Sequence, residues 1–206
     1  MNFHFSARRL LTSDISSAAD FYGEFGKDYS FASPPQLSCI LKNGELWGCF
    51  NGGTLAAVCG FLPLNSPCAV CRSASATGLL RNDTVLLLPP CSVADFMCLE
   101  YFYRWCAARA EKPQIPLCAL LPVKSGYSHL PMLFRAQLQL VAIRPLFELR
   151  PYYIFLEKNM KLSNNNSIMV PVSDTFKVSQ MLETGFFSAN IFDDSSQMLF
   201  CLEPTQ

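Results

Sequence analysis

The stretch "DTVLLLPPCSVADFMCLEYFYRWCAARA", Asp83 to Ala110, decides how the chain is read. An apolar run, Thr84–Leu88, passes through Pro89-Pro90 into a segment with Phe96, Leu99, Tyr103, Cys106 and Ala110 at helical spacing. Ser92 and Asp95 fit a capping box at its start, with Asp in place of Glu. A short, continuously apolar strand is one buried on both faces. The stretch therefore reads as a core strand followed by a long helix. Units of this kind can seat a phosphate at the helix N-terminus. Turns that do so are usually rich in glycine, which lets backbone approach closely, and this one contains none.

Upstream, "FHFSARRL" alternates as a first strand, and Ser13 or Asp14 caps a helix with Ile15, Ala18, Ala19, Tyr22 and Phe25 on one face and Gly26 at its end. "YSFASPPQL" reads as a loop because of its paired prolines. In "GELWGCFNGGTLAAVCGFLPL" two strands, Glu45–Phe50 and Thr54–Leu64, flank a tight turn at Asn51-Gly52-Gly53. A Cys- and Ser-rich loop (66–78) leads to Thr84–Leu88. Downstream, "IPLCALLPV" is a further buried strand, so strand, helix and strand imply a right-handed parallel crossover. A short helix around Leu130–Ala136 and two long strands, "LQLVAIRPLFEL" and "YYIFLEK", follow. "KLSNNNS" is linker-like, and beyond it "SIMVPVS" (strand), "TFKVSQMLETG" (helix, Gly185 as C-cap) and "MLFCLE" (strand) form a compact tail.

The bulk composition narrows the function. Half of the 206 residues are hydrophobic and 16% are charged, enough apolar surface for a sizeable core. Lys+Arg and Asp+Glu both number 16, so the basic excess of a general nucleic-acid binder is missing, and the zero net charge favours self-association as a homodimer. No apolar run of membrane-spanning length occurs, and the N-terminus carries its charge after its apolar residues, the wrong order for a signal peptide. The expected location is cytoplasmic, with the ten cysteines as free, mostly buried thiols.

The order of elements, with "GELWGCFNGGTLAAVCGF" as second and third strands and "QLVAIRPLFELRPYYIFLEK" as closing pair, resembles the GNAT superfamily of acyl-CoA-dependent N-acyltransferases over about residues 3–158. The resemblance implies an α/β fold with a mixed sheet of six or seven strands and flanking helices. It divides the chain into a GNAT-like acyltransferase domain, residues 1–160, and a small C-terminal α/β extension, residues 161–206. It also implies acetyl-CoA or another acyl-CoA as cosubstrate and a small-molecule or peptide amine as acceptor, with no role for nucleic acid or membrane. In that family the fourth strand ends in a bulge and the next helix presents N–H groups to the pyrophosphate. Carried over, the backbone of Leu87, Leu88 and Pro89 holds the pantetheine arm, and the N–H groups of Cys91, Ser92, Val93 and Ala94 face the pyrophosphate. The family's glycine-containing motif is replaced by Pro89-Pro90-Cys91-Ser92-Val93-Ala94-Asp95, whose prolines remove donors and whose aspartate already satisfies the helix dipole. Many members protonate the leaving thiolate with a tyrosine on the fourth helix; here that place falls on Phe134.

Titratable candidates for catalysis are His129, which changes charge near working pH, and Glu100 on the long helix. The bland readings are a polar residue at a helix entry and a solvent-facing carboxylate. Cys91 at a helix N-terminus could be a lowered-pKa nucleophile, against the commoner buried thiol. Cys68-x-x-Cys71 lacks the second pair a structural zinc site needs, and it does not open a helix after a strand as redox motifs do. Arg144, Glu148 and Arg150 mark a candidate acceptor side, or the exposed face of a sheet. Two functions follow: an acyl-CoA-dependent N-acyltransferase, or a GNAT-like domain without activity that serves as a binding or regulatory module. "MLETGFF" echoes the junction before the closing strands of such a domain. Either the tail is a partial second unit, the preferred reading, or the closing elements lie there. A unit this short cannot hold a core alone. Its apolar face (Met169, Val172, Phe176, Met181, Leu182, Phe186) is expected to dock on the main sheet or a partner chain.

Overall fold

Gly52 and Gly53, both at positive φ, turn β2 (Glu45–Asn51) into β3 (Thr54–Pro63), and this hairpin anchors one side of a single mixed sheet. The structure, a computed structural model, describes residues 5–26, 32–88, 91–93, 116–124, 129–146, 149–157, 167–192 and 196–202. The remaining strands are β1 (Phe5–Arg9), β4 (Val85–Leu87), β5 (Cys91–Ser92), β6 (Leu117–Pro122), β7 (Leu138–Pro145), β8 (Pro151–Glu157), β9 (Ser167–Pro171), β10 (Phe186–Phe192) and β11 (Gln197–Leu202). Their order is β1-β2-β3-β4-β6-β8-β7-β10-β11-β9, with β5 pairing β3. The expected parallel pair is β4 with β6, Leu86 opposite Cys118.

Helices cover both faces. On one lie α1 (Ile15–Phe25), α2 (Pro34–Asn43) and α3 (Ala69–Ser75), burying Tyr22, Leu37, Ile40 and Val70 against Leu46, Leu62, Leu86 and Ile154. On the other lie α4 (Leu130–Arg135) and α5 (Thr175–Glu183), over Leu121, Leu140, Tyr153, Phe155 and Phe200. Among the described residues no helix is long and apolar enough to cross a membrane.

Three readings of the sequence are corrected. The sheet has eleven strands among the described residues, not six or seven, for two reasons: the fourth strand is interrupted into β4 and β5, and β9–β11 continue the same sheet. The loop expected at "YSFASPPQL" runs straight into α2: Pro34 and Pro35 occupy its first turn, where a missing N–H costs nothing. Ser33 begins it, its N–H and hydroxyl donating to Gln36 Oε1 at 3.2 and 2.6 Å. Inside the loop expected at 66–78, α3 buries Val70, Cys71 and Ala74 on one face. Of the tail's expected docking face, Val172, Met181 and Leu182 are buried, whereas Met169 and Phe176 are exposed.

The tail repeats a pattern already present. β6–α4–β7–β8 and β9–α5–β10–β11 are each strand, helix, strand, strand, with the last strand lying between the other two. Two residues after the end of each helix the chain turns at positive φ, at Gln137 (61°) and Gly185 (89°). Both following strands shift register after three residues, between Leu140 and Ala142 and between Ser188 and Asn190. Leu121-Pro122-Val123 matches Val170-Pro171-Val172, and each valine N–H closes the same bond, to Pro151 O (3.1 Å) and to Ser196 O (2.9 Å). The two units meet where β7 pairs β10 antiparallel, with Leu140 facing its own equivalent, Ser188. Equivalent residues facing across an antiparallel pair define a local twofold.

Candidate acyl-CoA site

β3 pairs the interrupted fourth strand in two registers. Phe61 faces Leu87, and the Leu88 N–H donates to Gly60 O at 2.9 Å; further along, Val58 faces Cys91 and Ala57 faces Ser92. One extra residue has entered the ladder between Leu88 and Cys91, which is the definition of a β-bulge. Gly60 stands beside it for a steric reason. A Cβ there would lie 2.8 Å from Leu88 Cδ1 and 3.1 Å from Glu45 O. Nothing in the sequence pattern singled out Gly60.

The bulge opens the sheet. β4 and β6 pair from Val85–Leu117 to Leu87–Ala119 and no further, whereas β6 stays paired with β8 as far as Pro122. Beyond that point no strand among the described residues covers the β6 side of Cys91-Ser92 or the facing edge of Leu120–Pro122. Two strands diverging inside a sheet leave a slot lined by backbone N–H and C=O groups, which need partners. Such a slot accepts an extended, amide-bearing chain by strand-like hydrogen bonds.

The side chains around the slot are apolar and sunk into the core. Leu87, Leu88 and Cys91 are buried, and burial pushes the Cys91 thiol up to about 12, so it is no thiolate nucleophile at neutral pH. The Val93 N–H, expected to face a pyrophosphate, donates instead to Ala56 O at 3.0 Å. Ser92 is half-buried. Pro89, Ala94, Glu100, Asp95 and the long aromatic helix lie outside the described residues.

Phe134 is buried on α4 and packs edge-on against Phe155, ring centres 5.4 Å apart. Tyr153 meets the same Phe155 ring at 6.5 Å, so a phenol stands one ring away from the residue that lacks one. His129, the residue before α4, is buried, and desolvation pulls its pKa down to about 4. It is therefore neutral at pH 7 and a weak base. Arg144 donates to Ile143 O at 2.9 Å, Arg150 is exposed, and Glu148 lies outside the described residues.

No family model matches the sequence, and no curated protein does either. Solved structures do match. An N-acetyltransferase from Staphylococcus aureus superposes with a TM-score of 0.57 at 10% identity, over 74% of this chain and 96% of that one. NAA60 of Arabidopsis thaliana, solved with acetyl-CoA, gives 0.54 at 9% identity, over 74% and 97%. YncA of Salmonella typhimurium, a putative acetyltransferase also solved with acetyl-CoA, gives 0.53 at 6%, over 79% and 99%. With the bulge, the parallel splay and the strand order, these likenesses show that the chain has a GNAT-like fold.

Proposed function

We propose that the protein is an acyl-CoA-dependent N-acyltransferase that moves an acetyl or related acyl group to an amine of a small molecule or peptide. The observation that carries this reading is the one-residue shift between Leu88 and Cys91 together with the parting of β4 from β6. The amides of a pantetheine arm match the open backbone edges of Cys91-Ser92 and Leu120–Pro122. Leu87, Leu88 and Phe134 supply buried apolar walls on either face of the sheet. The acyl thioester brings the activated carbonyl. What this chain adds is position: amine and thioester held in line need little further catalysis. The neutral His129 accepts a proton poorly at pH 7, so an acceptor amine reaches the site already deprotonated or loses its proton to solvent.

The glycine-free turn weakens pyrophosphate binding relative to a glycine-rich one, and the missing hydroxyl at Phe134 favours a second reading, a binding module without turnover. Titration calorimetry of the full chain with acetyl-CoA separates them. Heat of binding, with coenzyme A thiol released when an amine panel is added, supports the enzyme. Binding without thiol release supports the module, and no heat at millimolar acetyl-CoA removes the acyl-CoA site altogether.

A further inference from the structure

Within the α1–α3 layer, Cys39 joins the Cys68-x-x-Cys71 pair, a contact that sequence spacing did not show. Cys39 on α2 and Cys68, the residue that begins α3, are 29 positions apart in the chain, yet their Sγ atoms stand 2.8 Å apart. A disulfide needs about 2.0 Å between sulfurs, so less than ~1 Å of movement joins them. Asn43, one turn along α2, is fixed by donating Nδ2–H to Cys39 O at 2.7 Å, and the same amide nitrogen lies 3.6 and 3.9 Å from the two sulfurs. The amide thus stands within reach of both sulfurs. Cys71, the other half of the C-x-x-C motif, donates its thiol to Pro63 O at 3.4 Å. Cys39 is half-buried, while Cys68 and Cys71 are fully buried, so solvent reaches the cluster through Cys39.

We propose that Cys39 and Cys68 are a reversible dithiol–disulfide pair, oxidised by exchange with a low-molecular-weight disulfide. The Cys39 thiolate attacks one sulfur of that disulfide, forming a mixed disulfide and releasing the first small thiolate. Cys68 then gives its proton to water and attacks the Cys39 sulfur, forming the Cys39–Cys68 bond and expelling the second. Two protein thiols are oxidised and one small disulfide is reduced to two thiols. Burial and the neighbouring Cys39 push the Cys68 thiol up to about 12, so the buried sulfur is a poor leaving group and the closed form reopens slowly. Closure ties α2 to the start of α3 across the whole β2–β3 hairpin, a loop long enough for the link to raise Tm by roughly 5–10 °C.

The test is oxidation of the full-length protein with oxidised glutathione, then alkylation under denaturing conditions, peptide mapping by mass spectrometry and thermal melting. The expected result is a peptide pair joined at Cys39 and Cys68, with a raised Tm, both reversed by dithiothreitol. Cys71→Ser keeps both effects and Cys39→Ser loses both. If Cys39 and Cys68 remain open to alkylation after oxidation, or if Cys68 is found joined to Cys71, the proposal is wrong. Should Cys39→Ser fail to fold, the mapping of the unsubstituted protein decides alone.

Discussion

Residues 117–157 and 167–202 are built alike and have different neighbours. Each is strand, helix and hairpin, with matching turns, matching bulges and a matching Pro-Val corner. What differs is the neighbour of the first strand. β6 has β4 beside it, in register for three residues and then diverging past the bulge, and that divergence is the slot. β9, its counterpart, has β11 on one side and no strand among the described residues on the other. The comparison teaches that the unit alone makes no slot. A parallel neighbour that stops pairing halfway makes it, and among the described residues only the first copy has one.

The largest effect expected from this comparison concerns the shared core. Phe155 on β8 and Phe200 on β11 occupy equivalent places, facing Leu140 and Ser188, and both are fully buried in one continuous cluster. Phe→Ala at either position costs about 3–5 kcal/mol. We read the second unit as dependent on the first, so Phe200→Ala and Phe155→Ala should each lower the Tm of the whole protein in one transition, by circular dichroism. A separate early transition in Phe200→Ala, with the rest melting as before, would break the equivalence and make the tail an independent appendage.

The start of the helix sharpens the contrast next. α5 begins at Asp174, whose carboxylate accepts the Lys177 N–H at 3.0 Å, whereas α4 begins at the buried His129. His129 takes up its proton at about 4 when folded, against 6.5 as its ordinary value. As pH falls through 6.5 the unfolded chain binds a proton that the folded one refuses. Stability is therefore lost between about pH 6.5 and 4, by roughly 3 kcal/mol in all, and levels off on either side. His129→Gln should flatten urea-derived stability across this window. An unchanged slope would mean that His129 is not the group responsible.

The sequence showed the order of elements and the hairpin because each rests on a local signal: Gly52-Gly53 at the turn, unbroken apolar runs at β4 and β6. α2 was legible too, since Ser33 and Gln36 were in view; reading Pro34-Pro35 as a breaker, not as a first turn, hid it. β10 was harder. "FFSANIF" carries Ser188 and Asn190 among its apolar residues, and its strand state is fixed by β11 and β7, which are tertiary neighbours. The bulge followed from family resemblance, but Gly60 and the Val93–Ala56 bond depend on cross-strand register, which no single segment encodes. The Cys39–Cys68 contact is of the same kind: the Cys68-x-x-Cys71 spacing was visible and read as two thiols in a loop, whereas a neighbour 29 positions away was not visible.

The smallest expected effect lies at the turn that follows each helix. Gly185 and Gln137 both sit at positive φ, a conformation that is easy for glycine and costs a residue with a side chain about 1 kcal/mol. An added Cβ at Gly185 would meet nothing within 4 Å, so Gly185→Ala isolates the backbone term from packing. It should destabilise by up to about 1 kcal/mol, less the few tenths that alanine recovers by restricting the unfolded chain. At Gln137 the exchange runs the other way. The residue is exposed, so Gln137→Gly loses no buried contact, relieves the left-handed strain and gains conformational freedom when unfolded. The two terms oppose, and the net change should be a gain of about 0.5 kcal/mol or less. Opposite shifts in denaturation midpoint at the two turns, with the Gly185 shift the larger, would mark them as the same turn made twice; a loss of stability in Gln137→Gly would show that the glutamine side chain holds its turn by a contact the second unit does not need.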